Sequence, residues 1–181
     1  MNKRIFLVLE NLNETNKELP ETYTIRRYQP RDKQQWLSLM VDQGVIETDE
    51  DAVQAFEEVY MKNLQWTKEW LWCVVDSSDL AISFCSISLG NHTPSLSYRL
   101  HFVATDKNHQ RKGLSQVLLS KLIKAFTNQY PKEKLYVVTQ PIFENAVKMY
   151  MQLGFVPTLL QSSLVSIQQQ QDYWSMLGIN L

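Results

Sequence analysis

Three cations, Lys107, Arg111 and Lys112, lie in a short polar run that ends at Gly113, directly ahead of the strongest helical pattern in the chain. A helix that begins there leaves several backbone N–H groups without partners, and its aligned peptide dipoles make that end positive. A phosphate is favoured at such a terminus. Glycine at 113 lets the backbone approach the anion with no Cβ in the way. The stretch fits neither the nucleoside-triphosphate loop, Gly-x-x-x-x-Gly-Lys-Ser/Thr, nor the dinucleotide pattern Gly-x-Gly-x-x-Gly. With five glycines in the whole chain, neither can be hidden elsewhere.

A second group able to do chemistry precedes the loop. On an ideal strand, Ser97, Arg99, His101 and Val103 share one face, while Tyr98, Leu100, Phe102 and Ala104 share the other. The second set reads as core and the first as the wall of a polar cleft. The His101 imidazole titrates near neutral pH and can take a proton from an amine through a short water chain. The alternative is a structural strand histidine, and a bulge in this strand would reverse the parity. Arg99 can select an acidic group or simply pair with a carboxylate. His109, in the loop, reads as solvated or near a phosphate.

These residues need elements to position them. Val103 to Thr105 ends a long strand that starts near Ser95, and residues 114–129 carry Leu114, Val117, Leu118, Leu122, Ala125 and Phe126 on one broad helical stripe. Upstream, Tyr23 to Tyr28 alternates like a strand. Trp36, Leu37, Met40 and Val41 fall at helical spacing, and Thr48 with Asp51 offers a capping pattern for a second helix. Leu71 to Val75 and Leu80 to Leu89 read as a hairpin around Asp76-Ser77-Ser78-Asp79. Downstream come a short strand, Leu135 to Thr139, and a helix, Glu144 to Leu153, stopped by Gly154. Phe155 to Leu160 and Tyr173 to Leu177 read as strands, and Gln168 to Gln171 as a solvated loop. Residues 1–20 read as an N-terminal extension, in which Ile5 to Leu9 can form a short strand, and residues 21–181 as one domain. The expected fold is mixed α/β: one mostly antiparallel sheet of about seven strands flanked by about four helices.

Composition narrows the function classes. The chain has 181 residues, with 18 Lys and Arg against 19 Asp and Glu, so no global field draws it to nucleic acid or an anionic membrane. Cys73 and Cys85 sit in apolar runs without metal-ligand spacing and read as free buried thiols in a reducing compartment; no metal is expected. No stretch approaches the roughly 20 apolar residues of a membrane span, and Ile5 to Leu9 is too short for a signal peptide. Asn13-Glu14-Thr15 and Asn91-His92-Thr93 match the glycosylation triplet, which is common by chance. The expected location is the cytoplasm.

The loop resembles the acetyl-CoA-binding motif of the GNAT superfamily of N-acetyltransferases, Gln/Arg-x-x-Gly-x-Gly/Ala, with Gln110, Gly113 and Ser115 in the three fixed places. Ser115 departs from the usual Gly or Ala but is small, and its hydroxyl could reach a phosphate. Val103 stands where the family's strand offers backbone groups to the pantetheine arm, and Asn145 to Phe155 is similar to a second family signature, although Ala146 follows Asn145 directly. The resemblance implies acetyl transfer from acetyl-CoA, as co-substrate, to an amine acceptor in a ternary complex. It implies cofactor contacts from Val103, Ala104 and Thr105 and from Gln110, Arg111, Lys112, Gly113, Leu114 and Ser115. It gives Tyr150 the role of protonating the departing thiolate, a role that a phenol protonated at neutral pH can fill; otherwise Tyr150 packs with Ala146, Met149 and Leu153. Asn145 hydrogen-bonds the cofactor or caps its helix. Many relatives carry a glutamate base on the strand before the loop; this chain has none between Ser95 and Thr105, and His101 is the substitute. A CoA-binding sensor without turnover is the alternative. Trp36, Tyr60, Trp66, Trp70 and Trp72 lie where the family builds its acceptor pocket, or else form core. Pairing with a second copy of the chain stays open.

Overall fold

The computed structural model describes residues 3–181. Its strands are β1 (Ile5–Leu9), β2 (Thr24–Arg27), β3 (Leu71–Val75), β4 (Ala81–Leu89), β5 (Tyr98–Thr105), β6 (Leu135–Thr139) and β7 (Phe155–Thr158). Its helices are α1 (Lys33–Asp42), α2 (Asp49–Phe56), α3 (Leu64–Trp70), α4 (Leu114–Gln129), α5 (Glu144–Gln152) and α6 (Ile167–Ser175). The strands form one sheet in the order β2-β3-β4-β5-β6-β1-β7, with β5 and β6 parallel and β2/β3, β3/β4, β1/β6 and β1/β7 antiparallel. The mixed α/β class and the seven strands are those the sequence leads one to expect. The chain falls into two compact units, one made of Thr15–Ser88 and His101–Leu122, the other of the stretch up to Glu14 with Leu89–Leu100 and Ile123–Leu181.

In the first unit the hairpin turns through Asp76, whose Oδ1 accepts from the N–H groups of Ser78 (2.9 Å) and Leu80 (3.1 Å). This is the local bonding that makes aspartate a turn former. Eight of the nine residues of β4 are buried, as expected of a strand covered on both faces. Thr48 caps α2 by accepting from the Asp51 N–H. A single π-helical turn, Glu57–Met61, follows α2 and sets Tyr60 inward at 2 % exposure. Then comes α3, a helix the sequence pattern does not announce, capped by Asn63 Oδ1 accepting from the Trp66 N–H at 3.1 Å. The core joins Trp36 and Met40 of α1, Phe56 of α2, Cys73 of β3, Phe84 of β4 and Ala104 of β5. Each large apolar side chain buried there contributes about 1.5–3 kcal/mol. Asp32, nearly buried, accepts two bonds from Arg26 (2.6 and 2.9 Å) and one from the Gln29 N–H (2.8 Å), tying β2 to the start of α1.

In the second unit β1 is an interior strand, hydrogen-bonded to β6 on one side and β7 on the other, and Ile5, Phe6 and Leu7 are fully buried. Residues placed in an N-terminal extension by their sequence thus complete the sheet. Pro157 is tolerated because β7 is the outermost strand. Gly154 has φ +96, and a Cβ there would lie 1.8 Å from the Asn11 carbonyl oxygen. The close passage of 10–13 over the end of α5, with Asn13 N–H bonding the Leu153 carbonyl (3.1 Å), is therefore open only to glycine.

The tail corrects two sequence expectations. Tyr173 to Leu177 is no strand, and Gln168 to Gln171 is no solvated loop: both belong largely to α6. Ser166 and Gln169 form a capping box that starts the helix. Gln170 is fully buried, and its amide serves the Leu160 backbone twice, accepting from its N–H (3.0 Å) and donating to its carbonyl (2.6 Å). That side chain does for Leu160 what a neighbouring strand would have done.

Candidate active site

Strand β5 does not alternate as an ideal strand. Phe102 has φ +51, and the His101 and Phe102 rings stack at 3.6 Å and 16°, so the two neighbours project to the same side. The face assignment of the sequence fails at this step, by the bulge that reverses parity. Phe102 packs edge-on against Trp36 (5.1 Å). The carbonyl of His101 accepts from Ser86 Oγ (3.0 Å), and Ser86 in turn bonds Tyr60 Oη (2.7 Å). With the Ser86 proton committed to the carbonyl, Tyr60 is the donor of the second bond. His101 Nδ1 stands 3.4 Å from Ser88 Oγ. The irregular strand is thus held by side chains of β4 and of the π turn.

The strand then enters the loop. Val103 is half-buried, Ala104 and Thr105 buried. Asp106 donates its N–H to the Ile82 carbonyl and caps a short 3-10 turn, Lys107–His109, through Oδ1 accepting from Asn108 N–H (2.8 Å). Gln110 Nε2 bonds the Thr105 carbonyl (3.1 Å) and Gln43 Oε1 (2.7 Å), so the first motif residue closes the loop on itself. Arg111 and Gly113 both have left-handed backbone, φ +63 and +77, which coils the segment just before α4. Leu114 is buried and anchors the helix start.

Ser115 has a settled partner. Its Oγ lies 2.6 Å from Thr105 Oγ1, Thr105 lies 2.6 Å from Ser83 Oγ, and Ser83 donates to the Ala104 carbonyl at 3.0 Å. Three hydroxyl protons satisfy three bonds only if all point one way, from Ser115 to Thr105 to Ser83 to the carbonyl. Ser115 then spends its proton inward and fastens α4 to β5 and β4 instead of donating to an anion.

Of the loop cations, Lys112 Nζ bonds Tyr23 Oη (2.8 Å) and sits 5.4 Å from the centre of that ring, while His109 Nδ1 shares the same phenol oxygen (3.0 Å). Lys107, Arg111 and Lys112 are exposed, and among the described residues none pairs with a carboxylate. A left-handed turn with a glycine, unneutralised cations and the N-terminus of a 16-residue helix are what a phosphate group requires. The signal for Tyr23 as a loop partner is absent from its local sequence.

The remaining candidates lie in the other unit. Tyr150 is 5 % exposed on α5, edge-on to Phe155 at 5.9 Å. Asn145 is exposed one residue inside α5, whose N-cap is Phe143, so it does not cap the helix. Burial and then the charge of Arg99 lower the pKa of His92, while burial raises that of Tyr136 against the opposing charge of Arg99. A groove of about 880 Å³ in this unit, lined in part by Glu10, Asn11, Lys132 and Lys134, contains none of the candidate catalytic or cofactor-contact residues. The tryptophans do not form one cage. Trp36 belongs to the core with Phe56, Tyr60 and Phe102; Trp66 packs on Trp70 at 5.7 Å; Trp72 bonds the Glu69 carbonyl (2.7 Å). Both cysteines are free and buried, and burial pushes the Cys73 thiol up to about 12 and that of Cys85 well above its ordinary value. Neither supplies a thiolate near neutral pH.

The fold and the loop define a mixed α/β protein with a strand-loop-helix suited to a phosphorylated ligand. Residues 40–165 match the acetyltransferase (GNAT) domain family, and the chain belongs to it. Solved structures agree on the fold. A GCN5-related N-acetyltransferase from Sphaerobacter thermophilus is 14% identical with a TM-score of 0.64, covering 87% of this chain and 50% of its own. A GNAT-family acetyltransferase from Colwellia psychrerythraea is 11% identical with a TM-score of 0.65, covering 87% and 53%. A tandem GNAT protein from the clavulanic acid biosynthesis pathway is 9% identical with a TM-score of 0.61, covering 86% and 50%. The chain thus spans about half the length of these relatives. No curated protein sequence matches it. Among the described residues no helix is long and apolar enough to cross a membrane.

Proposed function

We propose that the chain is an N-acetyltransferase that moves an acetyl group from acetyl-CoA to a primary amine of a small molecule or peptide by direct attack. The observation that carries this reading is the coiled, cation-rich loop at the start of α4 in a chain of the GNAT family. The loop N–H groups and Lys107 and Arg111 hold the phosphates; backbone groups of Val103 to Thr105 receive the pantetheine arm as an added strand would. The amine nitrogen attacks the thioester carbonyl carbon, the carbon–sulfur bond breaks, and the thiolate takes the proton of Tyr150. His101 accepts the proton the amine loses. Burial of both thiols supports transfer without a cysteine-bound intermediate and is consistent with a reducing compartment, which we take to be the cytoplasm.

The test is a panel of amines, polyamines and peptides, following release of CoA thiol, with acetyl-CoA binding read separately from the shift in melting temperature. Tyr150→Phe is expected to lower kcat by about 100-fold while acetyl-CoA still binds. His101→Ala is expected to flatten the rise of kcat/KM with pH; an unchanged profile removes His101 as the base. Binding without turnover across the panel would favour a sensor, and no binding of any CoA ester would overturn the reading.

A further inference from the structure

The segment that leads into β2 crosses the anion loop. Thr15 donates its N–H to Ser120 Oγ on α4 (3.4 Å), and the Lys17 N–H bonds back to Thr15 Oγ1 (3.2 Å). At its far end, after a turn closed by the Tyr23 N–H on the Pro20 carbonyl (2.9 Å), the Tyr23 hydroxyl accepts from Lys112 Nζ and is hydrogen-bonded to His109 Nδ1. Between these two fixed points lies Lys17, whose Cδ is 3.1 Å from where a Cβ on Gly113 would stand. The glycine is the position at which the loop backbone is barest, and a lysine stem lies against it. The ammonium is two bonds beyond that methylene. Lys17 is exposed and pairs with no carboxylate among the described residues, Glu14 being engaged with Lys124.

We propose that Thr15 to Tyr23 is a strap that delivers Lys17 to the anion cradle, where its ammonium binds the pyrophosphate of CoA. Lys17 thereby supplies from outside the loop a charge that the loop itself commits elsewhere, since Lys112 is tethered to Tyr23. A flexible stem lying over a glycine can follow the phosphate as it enters, whereas a loop cation is limited by the coiled backbone. The proposal rests on reading the loop as a CoA site.

The experiment is calorimetric titration of the wild type, Lys17→Ala, Lys17→Glu, Lys17→Arg and the control Lys62→Ala with CoA, 3′-dephospho-CoA and pantetheine. Lys17→Ala is expected to weaken CoA and 3′-dephospho-CoA alike by about tenfold, the scale of one charge-assisted bond, and Lys17→Glu by more. Lys17→Arg and Lys62→Ala are expected to bind within about twofold of the wild type, and the losses in Lys17→Ala to shrink as salt rises. Pantetheine, which lacks phosphate, is expected to respond to none of them. Unchanged or tighter CoA binding by Lys17→Ala would overturn the strap alone, and so would a loss confined to CoA with 3′-dephospho-CoA unaffected. A wild type that binds none of the three ligands would remove the CoA reading itself and the strap with it.

Discussion

Substituting Gly113 separates what the glycine does for folding from what it does for the ligand. Gly113 has φ +77, and Gly44, in the same unit, has φ +65. An alanine at either position costs about 1–2 kcal/mol in left-handed backbone. Their surroundings differ: a Cβ at Gly44 meets nothing within 4 Å, whereas at Gly113 it meets Lys17 Cδ at 3.1 Å. An exposed lysine methylene can retreat by the few tenths of an ångström required, so crowding adds little. Both Gly44→Ala and Gly113→Ala are therefore expected to lower Tm by a similar amount, about 2–8 °C for a chain of this size. Their affinities should diverge. If the loop is the proposed CoA cradle, the added methyl group crowds a phosphate at the helix N–H groups, and CoA binding is expected to weaken by tenfold or more, roughly 1.4 kcal/mol. Gly44→Ala should bind as the wild type does. Calorimetric scans give the first quantity, and titration at 25 °C, where both variants are folded, gives the second. Affinity retained within about twofold by Gly113→Ala, or an equal loss in Gly44→Ala, would refute the assignment of the cradle.

Asp32→Ala removes a nearly buried carboxylate that holds three hydrogen bonds, and is expected to cost about 3 kcal/mol, read as a lower denaturant midpoint at unchanged m-value. Asp32→Asn, which can still accept from the Gln29 N–H, should cost less. Gly154→Ala drives a Cβ onto the Asn11 carbonyl, which is backbone and cannot swing aside, so its Tm loss should exceed that of Gly44→Ala. His92 is held below its ordinary pKa by burial and then by the charges of Arg99 and Arg4. The unfolded chain takes up a proton near pH 6.5 that the folded chain refuses, so His92 contributes stability above that pH that is lost as pH falls toward the folded value. In urea titrations between pH 7.5 and 5.5, His92→Gln should lose less stability than the wild type; equal losses would contradict it.

Which parts were legible follows from where each signal resides. Helix α4 was readable to the residue because its apolar stripe runs for 16 residues and the loop before it has glycine and charge. Helix α3 is seven residues long and opens on an asparagine cap, too short for periodicity to register against its tryptophans. Helix α6 carries a glutamine run where an apolar face would be expected; a capping box and the tertiary bonds of Gln170 decide it. The bulge at Phe102 is fixed by Ser86 and Tyr60, residues remote in sequence, so strand parity alone misplaced His101. The loop was legible as a loop. Its clasp by Tyr23 and Lys17 was not, since nothing in the spacing of residues 15–23 refers to residues 109–113.

The interior position of β1 bears on the order in which the protein can be built. Residues 5–9 are synthesised long before both hydrogen-bonding partners of that strand, residues 135–139 and 155–158. Until then an all-apolar pentapeptide, Ile-Phe-Leu-Val-Leu, waits unpaired, and β6 and β7 have no route to each other without it. Its sheet half therefore closes late and through long-range pairing, the slow kind. A chain lacking residues 5–9 would leave β6 with an open edge, exposed to pairing between molecules.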